Sequence, residues 1–308
     1  MSLGILFPGQ GSQSIGMLKD LYSSYNLVPQ VFEEASDILS IDLWKIAKNG
    51  PETKINDTAI TQPIMLCAGI SVWKVWKNEG GDTPIFFAGH SFGEYTALCA
   101  SDSLKFKDAI KLVKKRAEYM KNAPRGKMSA IIGIDYQLLK DIIEKNGLEN
   151  VSIANINAPG QIVISGTESG VDVLSNLALK NVAKKIIPLP VSVAAHSSLM
   201  IDESKNFKTY ISNIKFLTPK IPVVNNVDVK VESAEILIKE ALVRQLYSPV
   251  RWIETIEYME QQGVDILIEL GSGKILTSFN KRIDNSIKSM SVSDCHSLEA
   301  ALEKQSRI

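Results

Sequence analysis

The stretch Pro84-Ile-Phe-Phe-Ala-Gly-His-Ser-Phe-Gly-Glu-Tyr95 decides how this chain is read. Ile85 to Ala88 form a short apolar run, the pattern of a buried strand. Gly89-His90-Ser91-Phe92-Gly93 follows and fits G-x-S-x-G, and Glu94 to Ala100 then has the composition of a helix. Strand, tight turn and helix form the setting of a nucleophile elbow, which lifts a serine hydroxyl above the sheet. The two glycines suit a turn with unusual dihedrals and close backbone approach. The helix N-terminus aims N–H groups and the positive end of its dipole at the same spot. The five-residue pattern recurs by chance, so an ordinary glycine-rich turn is the competing reading. The flanking strand and helix make Ser91 a candidate nucleophile.

Composition narrows the classes. The chain has 308 residues, of which 45% are apolar, enough for a sizeable core. Lys+Arg and Asp+Glu are equal at 34 each, which argues against a nucleic-acid binder. No run of 18 apolar residues is present, so no spanning helix is expected. The opening Met-Ser-Leu-Gly-Ile-Leu-Phe-Pro lacks the basic region of a signal peptide and reads as a first strand. Cys67, Cys99 and Cys295 are odd in number and lack C-x-x-C spacing, so neither a disulfide framework nor a metal site is expected. A reduced cytoplasm is the matching compartment.

Working outward, Leu3–Phe7 is predicted as a strand. The loop Pro8-Gly-Gln-Gly-Ser-Gln13 after it is a connecting turn or a source of a backbone amide donor near Gln10 or Gly11. Residues 17–48 read as helices broken near Asn26 and Ser40. Asn56 to Pro63 is a polar entry to a helix, with Pro63 in its first turn. Ile64–Trp76 is apolar nearly all round, hence buried. Gln62, at its mouth, is a cap, a surface residue or a site residue. Phe106–Asn122 is amphipathic, with Ile110, Val113, Ala117 and Met120 on one face. Arg116 shares that stripe. A guanidinium there needs an anion, because burying it alone is costly. The residues leave two readings open: a structural or snorkelling cation, or a bidentate clamp for a substrate carboxylate.

Residues 126–195 read as a separate unit. Met128–Ile134, Val151–Asn157, Gln161–Ser165 and Ala183–Val191 are predicted strands. With helices at Gln137–Asn146 and Val171–Leu179 they give β-α-β-β-α-β, the ferredoxin-like order. The remainder, 1–125 and 196–308, alternates strands and helices and so implies a mostly parallel sheet. Its later elements are predicted at Ile221–Val227, Ile236–Leu246, Val250–Gln261 and Asp265–Leu270, with a glycine turn at Gly271-Ser-Gly273 before a helix from Ile275. The histidines are His90, His196 and His296. A serine nucleophile needs a base. His90 stands inside the tight turn and His296 in a polar C-terminal segment, so His196 is the base by elimination.

The ordered set Phe7-Pro-Gly-Gln-Gly-Ser-Gln13, Thr61-Gln-Pro63, Gly89-His-Ser-Phe-Gly-Glu-Tyr95, Arg116, His196-Ser-Ser-Leu-Met200, Pro222-Val-Val-Asn-Asn226 and Gln245-Leu-Tyr-Ser-Pro-Val-Arg-Trp252 resembles the malonyl-CoA:acyl carrier protein transacylases and the acyltransferase domains of polyketide and fatty acid synthases. The resemblance spans nearly the whole chain. It implies an α/β-hydrolase-like core with an inserted ferredoxin-like subdomain, and ping-pong transfer of malonyl through Ser91 to the phosphopantetheine thiol of acyl carrier protein. It implies His196 as base and Gln245 as its orienter through a main-chain carbonyl. The N–H groups of Gln10 and Phe92 would form the oxyanion hole. Arg116 would hold the malonyl carboxylate and Gln62 would steady Arg116 or the acyl group, with Met120 beside them and Asn155 and Asn157 lining the cleft. No cofactor is implied, and a monomer is expected because no exposed apolar stripe is evident.

Two departures from the family pattern are Phe92, where Leu is commoner, and Ala194-Ala195, where a bulkier or hydroxylated residue is usual. The second leaves open a wider acyl pocket. Rival readings are a trans-acting polyketide extender-unit acyltransferase, an acyl-thioester hydrolase, a non-catalytic carrier-binding module and a plain serine esterase. Lys114, Lys115 and Arg251 could draw an acidic partner or simply be solvated.

Overall fold

The computed structural model describes residues 2–191 and 193–306. The chain runs β1 (Leu3–Phe7), α1 (Lys19–Ser24), α2 (Leu27–Leu39), α3 (Leu43–Asn49), α4 (Glu52–Ile55), α5 (Thr58–Asn78), β2 (Phe86–Gly89), α6 (Gly93–Ala100) and α7 (Phe106–Asn122). It continues with β3 (Lys127–Ile132), α8 (Tyr136–Lys145), β4 (Val151–Ala158), β5 (Gln161–Gly166), α9 (Glu168–Asn181) and β6 (Lys185–Pro188). A 3₁₀ turn at Ser198–Met200 leads into α10 (Ile201–Ser212), β7 (Val223–Val224), α11 (Glu235–Gln245), α12 (Trp252–Gln261), β8 (Ile266–Leu270), α13 (Ile275–Ile283), β9 (Lys288–Val292) and α14 (Cys295–Ser306).

Two sheets result. The larger has strand order β7-β2-β1-β8-β9, and every pairing in it is parallel. Parallel strands need both faces covered, and β1 and β8 are accordingly buried along their whole length. The smaller sheet has order β4-β5-β3-β6 and is antiparallel throughout. Its helices α8 and α9 fall between the strands as a β-α-β-β-α-β unit requires. Ile131, Ile164, Leu139 and Leu174 form a core of its own. The small sheet is stitched to the rest by main chain: Ile156 N–H donates to the Val250 carbonyl at 2.9 Å, and Val250 N–H to that of Ala154 at 2.8 Å.

The register of β1 on β2 places Phe7 opposite Gly89. The loop after β1 therefore lies beside the turn after β2, at the carboxyl ends of parallel strands. The approach is close enough that a Cβ on Gly93 would stand 2.3 Å from the Phe7 carbonyl oxygen, and one on Gly89 would stand 2.0 Å from the Gly93 backbone. These glycines serve proximity. The unusual dihedral belongs to Ser91 itself, at φ 54°.

Several elements differ from their sequence reading. α5 begins at Thr58, so Pro63 lies inside the helix and not in its first turn. Asp57 caps it by accepting from Ala59 N–H, and the Thr61 hydroxyl bonds back to the Ile55 and Asp57 carbonyls, which holds the turns before the proline. β6 stops at Pro188, and only Val223–Val224 of the predicted Ile221–Val227 strand pair with β2. The edge strand β9 and the helix α14 were not anticipated, because Lys288–Val292 is polar at alternate positions and lacks an apolar run. Cys67 and Cys99 are buried thiols and Cys295 is half-buried.

Candidate active site

Ser91 sits on a left-handed backbone, a conformation that a residue with a Cβ adopts only when its surroundings hold it there. Asn226, fully buried after β7, supplies the hold. Its Oδ1 accepts from Ser91 N–H at 2.8 Å and its Nδ2 donates to the Gly89 carbonyl at 2.8 Å. The turn is thus bridged on both sides of the serine by one amide.

His196 also has positive φ, 60°, and its Nε2 is 2.8 Å from Ser91 Oγ. Its Nδ1 faces two carbonyls, Gln245 at 2.8 Å and Ser248 at 3.1 Å. Those acceptors fix the proton on Nδ1 and leave the Nε2 lone pair toward the serine hydroxyl. Burial, and next the nearby Arg116 charge, push the His196 pKa down to about 3. The ring is therefore neutral, the form a base needs.

Arg116 reaches the same point from α7 and is 1% exposed. Its Nη2 donates to Ser91 Oγ at 3.3 Å and to Gln245 Oε1 at 3.1 Å, and its Nη1 to Met120 Sδ at 3.1 Å. The face of Tyr95 lies 5.4 Å away. No carboxylate pairs with this guanidinium among the described residues, and its Nε is buried without a partner. Gln62 makes no hydrogen bond to Arg116; both approach Met120 Sδ. Its Nε2 is 3.7 Å from Met120 Sδ, and its Oε1 is buried and unpaired.

Ser91, His196, Arg116, Met120 and Gln62 line one cavity of about 120 Å³, with Gln10, Phe92, Met128, Val191 and Ala195 among the other residues of its wall. That is small beside the hundreds of Å³ of a drug-sized site and suits a short acyl group. Ala195 faces this cavity, whereas Ala194 is packed against Gly126. The N–H groups of Gln10 and Phe92 have no hydrogen-bond partner among the described residues. Their neighbours do: Gly93 N–H returns to the His90 carbonyl and Gly11 N–H goes to Gln13 Oε1. Two free donors at the cavity wall are what an oxyanion requires.

His90 also lines the cavity, but its ring is engaged by other partners. Its Nε2 donates to Asn157 Oδ1 at 2.8 Å, with Asn155 Nδ2 3.5 Å from the same nitrogen, and its ring packs 5.4 Å from that of Trp252. Asn155 lines the cavity, and Asn157 is buried against His90. His296 is exposed on α14. Lys114 and Lys115 pair with Glu118, and Arg251 with Glu254, so all three cations already have a carboxylate.

Two residues here had been read only as parts of motifs. One is Asn226. The other is Glu94, a carboxylate 3% exposed on a helix whose every residue is buried. Its Oε2 accepts from Asn226 N–H at 3.0 Å and from Gln245 Nε2 at 2.7 Å. The signal that marked Arg116, a charge on an apolar helix, was equally present for Glu94.

The acyl transferase domain model matches residues 5–297. The malonyl CoA-acyl carrier protein transacylase of Salmonella typhimurium is 42% identical over 301 residues, 96% of this chain and 97% of that one. The corresponding protein of Haemophilus influenzae is 44% identical over 304 residues, 97% of each. Among solved structures, a malonyl-transacylase in complex with its type II PKS acyl-carrier protein superposes with a TM-score of 0.96 at 43% identity, covering 99% of this chain and 100% of that one.

Proposed function

The chain belongs to the acyl transferase family, and from that premise we propose that it transfers a malonyl group from CoA to the phosphopantetheine thiol of acyl carrier protein. The observation that carries this reading is a Ser91–His196 pair sharing a 120 Å³ cavity with a buried arginine that has no carboxylate of its own.

Ser91 Oγ attacks the thioester carbonyl while its proton passes to His196 Nε2. The N–H groups of Gln10 and Phe92 take the developing oxyanion; one such donor is typically worth about 3–4 kcal/mol. The C–S bond breaks, the CoA thiolate takes the proton back from His196, and malonyl-Ser91 remains. The carrier thiol then gives its proton to His196 and attacks the ester, and the sequence runs in reverse to release Ser91. The Gln245 carbonyl keeps the imidazole in its working tautomer throughout.

Arg116 receives the malonyl carboxylate, with Met120 and Gln62 packing beside it and Asn155 and Asn157 bounding the cleft through His90. An acetyl group would leave the guanidinium unpaired, which disfavours it. Every proton and charge in the scheme is handled by side chains and main chain, so no cofactor enters it. The product is the extender unit of fatty acid synthesis, made in the cytoplasm. We assign 126–195 as the smaller unit and 1–125 with 196–308 as the catalytic core, since all strands of the small sheet lie within 127–188.

The test is to mix the protein with malonyl-CoA and phosphopantetheinylated carrier. Malonyl-carrier should accumulate. Free malonate with an unmodified carrier would replace transfer by hydrolysis.

A further inference from the structure

Burying Arg116 without a carboxylate partner is costly unless its charge is met some other way. The structure meets it at one remove. Gln245 presents Oε1 to Arg116 Nη2 at 3.1 Å and Nε2 to Glu94 Oε2 at 2.7 Å, so one amide separates a buried cation from a buried anion. An ionised carboxylate only accepts hydrogen bonds. It therefore makes Gln245 turn its NH₂ toward Glu94 and its carbonyl toward the guanidinium. A direct Glu–Arg pair would hold the guanidinium against a carboxylate of the protein's own; the interposed neutral amide leaves it without one.

We propose that Glu94 is the counter-charge of Arg116 and sets the strength of its grip on an acyl carboxylate, by being partly ionised in the empty pocket and taking up a further fraction of a proton when a carboxylate occupies the guanidinium. This rests on the malonyl-transfer reading given above. The physical reason is that two carboxylates would then share one cation in a water-poor site, and like charges so placed favour protonation of one.

The groups facing Glu94 permit this. Arg116 on α7 is the cation opposite, and Asp228, in the loop after β7, is a further anion bound in its own pair with Arg244. Gln245 on α11 and Asn226 are neutral hydrogen-bond donors, and Tyr95 is the neighbour on its own helix. Burial already lifts the Glu94 pKa to about 7, against the pull of Asn226, Gln245 and Arg116, so a modest further rise on binding changes its protonation near neutrality. Glu94 touches neither the acyl group nor the reacting atoms in this scheme. It acts through Gln245 as a positioning residue.

The test is calorimetry of malonyl-CoA and acetyl-CoA binding to the Ser91→Ala variant at pH 7, in two buffers with different heats of protonation. Malonyl-CoA should bind with uptake of a fraction of a proton beyond that seen with acetyl-CoA. Its affinity relative to acetyl-CoA should rise about fivefold from pH 8.5 to 6. Both effects should vanish in Ser91→Ala/Glu94→Gln. Equal proton uptake for the two ligands in Ser91→Ala would overturn the proposal without any variant at Glu94, as would an excess that survives Glu94→Gln. If acetyl-CoA binds and malonyl-CoA does not, the carboxylate-binding role of Arg116 falls, and this inference with it. Malonyl-CoA that binds without excess proton uptake sinks this inference alone.

Discussion

His196 Nε2 lies 2.8 Å from Ser91 Oγ, and both residues stand on left-handed backbone, at φ 60° and 54°. Each side chain of the pair is delivered by a local strain that its neighbours hold in place, the Asn226 amide at Ser91 and the Leu246 carbonyl at the His196 N–H. If the ring acts as the base, His196→Ala should slow acylation of Ser91 by roughly 10²–10⁴-fold. Quenched-flow mass analysis would measure it, and a loss below tenfold would mean that the proton leaves by another route.

The acid limb of the reaction should be displaced. An ordinary histidine stops acting as a base below its pKa of about 6.5. Burial pushes His196 down to about 3, so its neutral form persists as pH falls through 6.5 and is lost only near the lower value. The saturated rate of Ser91 acylation should therefore hold from pH 8 to pH 5. A fall centred near 6.5 would show a ring that charges like one in water.

Removing the clamp on the elbow should cost stability as well as rate. Asn226→Ala strands the Ser91 N–H and the Gly89 carbonyl, each at about 1–3 kcal/mol when buried. Urea unfolding should show a loss of about 2–6 kcal/mol. A change under about 0.5 kcal/mol would mean that the turn holds itself.

Selectivity should reside in Arg116. Removing a charge-assisted contact to a substrate carboxylate is worth about 2–3 kcal/mol, so Arg116→Ala should cut the malonyl-to-acetyl ratio of kcat/KM by roughly 100-fold. The absolute rate with acetyl-CoA should hold or rise. An unchanged ratio would make Arg116 a structural cation.

How far these features were legible in the sequence depends on how local their cause is. The elbow is written in five residues and two flanks, so Ser91 stands out there as a candidate nucleophile. His196 stands out because the chain has only three histidines, and Arg116 as a charge on an apolar stripe, whose role the stripe alone leaves open. Glu94 carried the same mark and went unread because it sat inside a motif already explained by its serine. The partners of Gln245 were out of reach: its side chain meets Ser91, Glu94 and Arg116, from 154, 151 and 129 positions away, and no pattern encodes such pairings. β9 is silent for another reason: Lys288-Ser-Met-Ser-Val292 sets serines between its apolar residues and has no continuous apolar run to announce it.

The central claim is a malonyl ester on Ser91 that passes to a carrier thiol. Intact-protein mass spectrometry after mixing with malonyl-CoA, and again after adding phosphopantetheinylated acyl carrier protein, tests it most directly. The account predicts a gain of one malonyl group, absent in Ser91→Ala, that then leaves the protein and appears on the carrier. An adduct that persists in Ser91→Ala, or one that decays to free malonate while the carrier stays unmodified, would contradict it.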